Sequence, residues 1–138
     1  MKAIVKRIDG LSLIGKSDSN HWVPMDVGES VGGADAASTP LQLVLIGLGG
    51  CTSIDVLSIL AKKRVNIDDF TLEVEAERAA EHPKVFTKIV LKFTFFGKNI
   101  SSQAVERAIE LSVTKYCSVL EMLSKTANIE TEYEIKEK

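Results

Sequence analysis

Histidine and cysteine are scarce in this sequence of 138 residues, which holds two of each. Two thiols are too few for a disulfide scaffold. His21 and His82 stand alone in loop-like stretches, neither at ligand spacing from a cysteine, so no metal site is expected. Positive charge is not in excess either: 17 Lys and Arg face 19 Asp and Glu, which leaves no field to hold a phosphate backbone. Nucleic acid is therefore not an expected partner. No glycine-rich phosphate cradle follows a strand, so nothing indicates a nucleotide cofactor, and no GxSxG elbow supports a Ser-His-Asp triad. The start, MKAIVKRIDG, lacks an apolar run followed by a small-residue cleavage site, which points to a cytoplasmic protein. Internal repeats and low-complexity tracts are missing as well.

What is present suits one α+β domain spanning residues 1–138, with 45% hydrophobic and 26% charged residues. Residues 2–16 alternate loosely around Asp9-Gly10, a pair suited to a tight hairpin turn. From Asn20 to Ser38 the glycines, Pro24 and small side chains show no period and predict a long surface loop. Thr39-Pro40 then starts a helix running to about Arg64. Between Pro40 and Ala61 its only charge is Asp55, so it is apolar nearly all round, the mark of a helix enclosed by protein or lipid. Asp55, Gln42 and the glycines interrupt the run of about 20 apolar residues that a membrane span needs, and a buried central helix is the better reading. Lys62, Lys63 and Arg64 suit its solvated C-terminal end.

Strict alternation from Thr71 to Glu77 predicts a half-buried strand with Leu72, Val74 and Ala76 on the apolar side. A turn near Glu81-His82-Pro83 leads to a second strand with Val85, Thr87, Ile89, Leu91, Phe93 and Phe95 on one face, antiparallel to the first. Ser101 or Ser102 opens an amphipathic helix whose stripe is Val105, Ala108, Ile109 and Val113. A short helix from about Ser118 to Ser124 and a strand carrying Ile129, Thr131, Tyr133 and Ile135 complete the chain.

The cysteines need separate scrutiny. Cys51 sits mid-helix beside Gly49-Gly50, where missing side chains let another backbone or a ligand come close. By spacing alone the commoner reading is a tight helix crossing with Cys51 as a small inert hydrophobe. Cys117, in Tyr116-Cys117-Ser118-Val119, ends one helix and opens the next, and a helix N-terminus lowers a thiol pKa. Their separation excludes a CxxC motif and leaves contact in space to the fold.

The segment Ser38-Thr39-Pro40-Leu41-Gln42-Leu43 through Leu48-Gly49-Gly50-Cys51-Thr52, joined with Tyr116-Cys117-Ser118-Val119, resembles the OsmC/Ohr family, Gly-Gly-Cys branch, over essentially the whole chain. A Pro-led apolar helix with a cysteine about three turns in, and a second cysteine at the right distance downstream, seldom arises by chance. The resemblance implies an intertwined homodimer in which two long central helices are wrapped by antiparallel sheets, with sites near the subunit interface. It also implies chemistry: Cys51 attacks the O–O bond of an organic hydroperoxide, Cys117 captures the sulfenic acid as a disulfide, and a dithiol reductant resets the pair. In the family an arginine and a glutamate activate the first cysteine. Here that glutamate aligns with Leu41 or, in the Gly-Gly-Cys branch, with Gln42, which hydrogen-bonds but cannot ion-pair. Of the four arginines, Arg64 and Arg107 read as solvated helix residues and Arg78 ends a strand, leaving Arg7 as the match. The departure at the glutamate keeps a second reading open, a non-catalytic dimer of the same fold that binds small molecules or serves as a scaffold.

Overall fold

The computed structural model describes residues 1–137. Along them run β1 (Ala3–Asp9), β2 (Ser12–Ser17), β3 (Trp22–Met25), α1 (Pro40–Lys62), β4 (Asp69–Arg78), β5 (Phe86–Phe96), α2 (Ser102–Leu111), α3 (Ser118–Leu123) and β6 (Asn128–Lys136). A 3-10 turn at Glu29–Val31 and a π turn at Ser112–Tyr116 complete the elements. The architecture is the mixed α+β arrangement predicted, with two three-stranded sheets. The chain divides into two compact units, Met1–Leu45 and the remainder from Ile46.

In the first unit β1, β2 and β3 form an antiparallel sheet in that order. Gly10 takes φ +51° in the β1–β2 turn, a left-handed conformation that favours glycine. The Asn20–Ser38 stretch is more ordered than its composition predicts, because Trp22–Met25 pairs with β2. Pro24 is tolerated there since β3 is an edge strand and its missing N–H removes no inner ladder bond. One carboxylate organises the loop that leaves β3. Asp26 is buried and accepts hydrogen bonds from Ser12 Oγ at 2.8 Å, Val27 N–H at 2.7 Å, and Ala34 and Ala36 N–H at 3.3 Å each. The Ser12 hydroxyl above all, then the three amides, hold its carboxyl below the usual carboxylate range against the opposing effect of burial. Gly33 is required by the same fold-back, since a Cβ there would lie 1.9 Å from the Val27 carbonyl oxygen.

A capping box starts α1: Thr39 Oγ1 accepts from Gln42 N–H at 3.2 Å and Gln42 Oε1 accepts from Thr39 N–H at 2.7 Å. Pro40, as first helical residue, forfeits no bond. The helix ends at Lys62, two residues short of the predicted end, and Arg64 turns left-handed at φ +58°. The predicted enclosure is only partly met within one chain. Leu48, Thr52, Val56 and Leu60 form a single buried stripe at i, i+4 spacing, whereas Ile46 and Ile54 remain 60% and 69% exposed. With 23 residues and a mean hydropathy of 2.0 over its most apolar window, α1 is long and apolar enough to cross a membrane. Length therefore does not set a span aside, contrary to the sequence reading.

In the second unit the sheet order is β4-β5-β6. β4 and β5 pair antiparallel, so that Leu72, Val74 and Ala76 sit opposite Phe93, Leu91 and Ile89 on one apolar face. Gly49 admits this face to the helix, because a Cβ there would come 3.3 Å from Val74 Cγ2. Two details depart from the prediction. Register slips between Glu77 and Arg78, which leaves Thr87 as an unpaired extra residue; Phe86 is thereby buried, while Val85 and Thr87 are exposed. And β6 runs parallel to β5, so this sheet is mixed rather than wholly antiparallel. A parallel partner needs a crossover, and α2, the π turn and α3 supply it.

Candidate functional site

The site is assembled in the second unit from α1 and the crossover. Cys51 and Asp55 lie four residues apart on α1 and so share a helix face, with Thr52 in the buried stripe beside them. The crossover approaches through α2, whose first turn is capped by Ser101 Oγ accepting from Ala104 N–H at 3.3 Å. Val105, Ala108 and Ile109 are buried as the periodicity predicts.

After Leu111 the winding widens into the π turn, closed by Cys117 N–H donating to Ser112 O at 2.9 Å. The extra residue per turn rotates the succeeding positions out of phase with α2. Val113, predicted to continue the apolar stripe, is only half-buried, and Ser112 is buried instead. Its Oγ donates to Asp55 Oδ2 at 3.1 Å. The turn delivers Cys117, in extended conformation, as the N-cap of α3, where its Sγ accepts from Leu120 N–H at 3.4 Å.

Both thiols are free, and Cys51 Sγ, Cys117 Sγ and a carboxylate oxygen of Asp55 lie within 4.8 Å of one another. The sulfurs thus stand within about 3 Å of the disulfide bond length of about 2.05 Å. Thr52 Oγ1 stands 3.3 Å from Cys117 Sγ in a buried contact. The helix N-terminus, predicted to lower the pKa of Cys117, does not prevail. Burial of the would-be thiolate is the largest influence; the Thr52 hydroxyl and Leu120 amide oppose it and the Cys51 thiol reinforces it, so the Cys117 thiol is pushed up.

The other candidates occupy different surroundings. Arg7 is exposed on β1, opposite Leu13 of β2, and Gln42 spends its carbonyl oxygen on the α1 cap. Both belong to the first unit, whereas the thiols belong to the second. Arg78 donates from Nε to Lys84 O at 2.8 Å, and Arg107 pairs with Glu110 at 2.7 Å. Asp55, Thr52 and Ser112 escaped the sequence reading as site residues. Asp55 carried a signal, as the one charge between Pro40 and Ala61, one turn beyond Cys51. Ser112 carried a weak one: four residues beyond Ala108 and three beyond Ile109, it continues the buried stripe by regular spacing, but a serine does not register as apolar.

An α+β chain with one thiol on a long apolar helix and a second at the head of a later helix is the layout of the OsmC/Ohr proteins. The chain belongs to the OsmC-like family, whose model matches residues 32–132. It is 44% identical over 135 residues to Protein YhfA of Escherichia coli strain K12, covering 98% of both chains. A hypothetical protein from Aquifex aeolicus VF5 has a solved structure similar to this one at TM-score 0.87 and 27% identity, over 99% of this chain and 96% of that one. The organic hydroperoxide resistance protein OsmC of Legionella pneumophila shares the fold at TM-score 0.71 over 96% of both chains, and at 15% identity shares only that.

Proposed function

We propose that this protein is a thiol peroxidase acting on organic hydroperoxides in the cytoplasm, with Cys51 as the attacking residue and Cys117 as the resolving one. The observation that carries the reading is the approach of the two sulfurs to within 4.8 Å from elements remote in the chain. The Cys51 thiolate attacks the distal peroxide oxygen; the O–O bond breaks, the alkoxide leaves and takes up a proton as the alcohol, and Cys51 becomes a sulfenic acid. The raised pKa of Cys117 keeps it a protonated thiol near neutral pH. Its sulfur then attacks the sulfenic sulfur, its proton joins the departing hydroxide to give water, and a disulfide remains. An external dithiol reduces that bond and returns both thiols. No metal or nucleotide is needed for these steps.

Activation of Cys51 needs a permanent cation, and Arg7 is our candidate on the strength of the family pattern. The exposed apolar side of α1, together with Ile4, Val5 and Ile8 on β1, is best covered by a second copy of the chain. Asp55 in the middle of α1 makes lipid a poor alternative cover. Hydroperoxide consumption with a dithiol reductant tests the reading: wild-type protein turns over, Cys51→Ser does not, and Arg7→Ala loses on the order of 10²-fold in kcat/KM. Turnover that survives Cys51→Ser contradicts the assignment.

Gln42, tied into the helix cap and aligned in the Gly-Gly-Cys branch with the family glutamate, favours a second reading, a non-catalytic dimer that binds a small molecule or acts as a scaffold. The pH midpoint of Cys51 alkylation separates the two. A value well below the free-thiol value of about 8.5 supports the enzyme, and a value near it supports the binder.

A further inference from the structure

The cluster at the head of the crossover contains more than a redox pair needs. Two sulfurs and a carboxylate oxygen converge within 4.8 Å, and two of the three groups are held by hydroxyls: Ser112 Oγ donates to Asp55 Oδ2 at 3.1 Å and Thr52 Oγ1 lies 3.3 Å from Cys117 Sγ. We propose that in the reduced protein Cys51, Asp55 and Cys117 form a three-ligand site for a thiophilic divalent cation of the Zn2+ class, with its fourth position open to water.

Donor chemistry selects the ion. Mg2+ and Ca2+ demand oxygen ligands, whereas thiolates favour Zn2+ and its soft relatives. Around a tetrahedral Zn2+, with bonds of about 2.3 Å to sulfur and about 2.1 Å to oxygen, ligand atoms stand roughly 3.6–3.8 Å apart. The trio is within about 1 Å of that spacing, a contraction within the scope of side-chain rotation. Cys51 and Asp55, one helical turn apart, present their donors from the same face, and Cys117 supplies the third from the facing crossover. The Ser112 hydroxyl fixes the carboxylate as outer-shell donors fix metal ligands elsewhere. A hollow of about 350 Å3 lined by Asp55, Ile59, Leu111 and Tyr116 opens onto the carboxylate, though neither thiol lines it. Lys62 and Lys63 line it too, and their charge opposes any cation held by electrostatics alone, so affinity must come from the sulfur bonds.

Capture replaces two thiol protons by one Zn2+ and releases those protons to solvent. The site is then redox-gated. Oxidation of the bound dithiolate by an organic hydroperoxide gives disulfide, alcohol, water and free Zn2+, with two protons consumed, and the disulfide sulfurs no longer serve as thiolate ligands. Cation capture goes beyond the peroxidase reading and does not require it, since only the nature of the physiological oxidant comes from there.

The test uses full-length reduced protein titrated with Zn2+ against a chromophoric chelator, and with Cd2+ followed by its sulfur-to-metal charge-transfer absorption. One ion per chain is expected, bound with loss of both thiols to alkylation. Ser112→Ala weakens binding on the order of 10-fold, and Asp55→Asn weakens it further. Cys51→Ser and Cys117→Ser each abolish the charge-transfer signal of a dithiolate site, and protein oxidised by diamide, a thiol oxidant unrelated to peroxides, binds nothing. Absence of binding by folded wild type, or affinity unchanged in folded Asp55→Asn, overturns the proposal. Because diamide is the oxidant, failure of metal binding is read independently of peroxidase activity. Turnover assayed with a chelator present reads failure of the peroxidase independently of the ion.

Discussion

Thr52 and Cys117 show two opposed influences meeting on one sulfur. Burial penalises the thiolate, and the threonine hydroxyl at 3.3 Å relieves part of that penalty. Removing the hydroxyl while keeping the shape, in Thr52→Val, therefore raises the Cys117 pKa further and costs about 1 kcal/mol of stability. The pH dependence of Cys117 alkylation in a Cys51→Ser background measures it; a midpoint that stays put or falls refutes this role for the contact. At this scale the sequence was informative about the candidate thiols, since both stand out by their rarity. It was silent about the hydroxyls around them, because Thr and Ser occur throughout the chain and only contact singles out Thr52 and Ser112.

Local departures from regular winding decide what the elements present. The π turn after Leu111 leaves Val113 half-buried where the predicted stripe would bury it, and the bulge at Thr87 buries Phe86 where alternation would bury Val85. Neither departure leaves a compositional mark, which is why the long periodic stretches of β4, β5 and α2 were legible and these residues were not. The parallel placement of β6 escaped for a different reason: its alternation fits either direction, and only the crossover length bears on it. Caps were readable, and Ser101→Ala is expected to cost about 1 kcal/mol in a denaturant melt. The loop behind β3 should respond to acid. The Asp26 carboxyl titrates lower in the folded chain than in the unfolded one, so its contribution is present above the ordinary carboxylate pKa and is lost as pH falls toward the lowered folded value. Melts from neutral to acid pH should show wild-type stability falling over that range. Asp26→Asn should start lower at neutral pH and lose less on acidification; equal slopes in the two proteins contradict the role given to this carboxylate.

For the whole molecule, family and fold class followed from residue order, but the surroundings of α1 did not. An apolar helix reads as enclosed whether its cover is the same chain, another copy or lipid, and a single chain fully buries only the stripe Leu48, Thr52, Val56 and Leu60. If a second copy supplies the rest, wild-type protein is a dimer by light scattering, and Ile54→Glu, at a position 69% exposed in one chain, drives it to monomer with unchanged helix content. A monomeric wild type rules the dimer out.

The claim on which the functional reading depends is that the two thiols react with each other after one of them has met a peroxide. One equivalent of an organic hydroperoxide added to the fully reduced protein, followed by thiol counting and peptide mapping, measures this directly. The expected result is loss of both thiols together and a single linked peptide pair joining Cys51 to Cys117 within one chain. Retention of both thiols, or oxidation that stops at Cys51 with Cys117 still free, contradicts it.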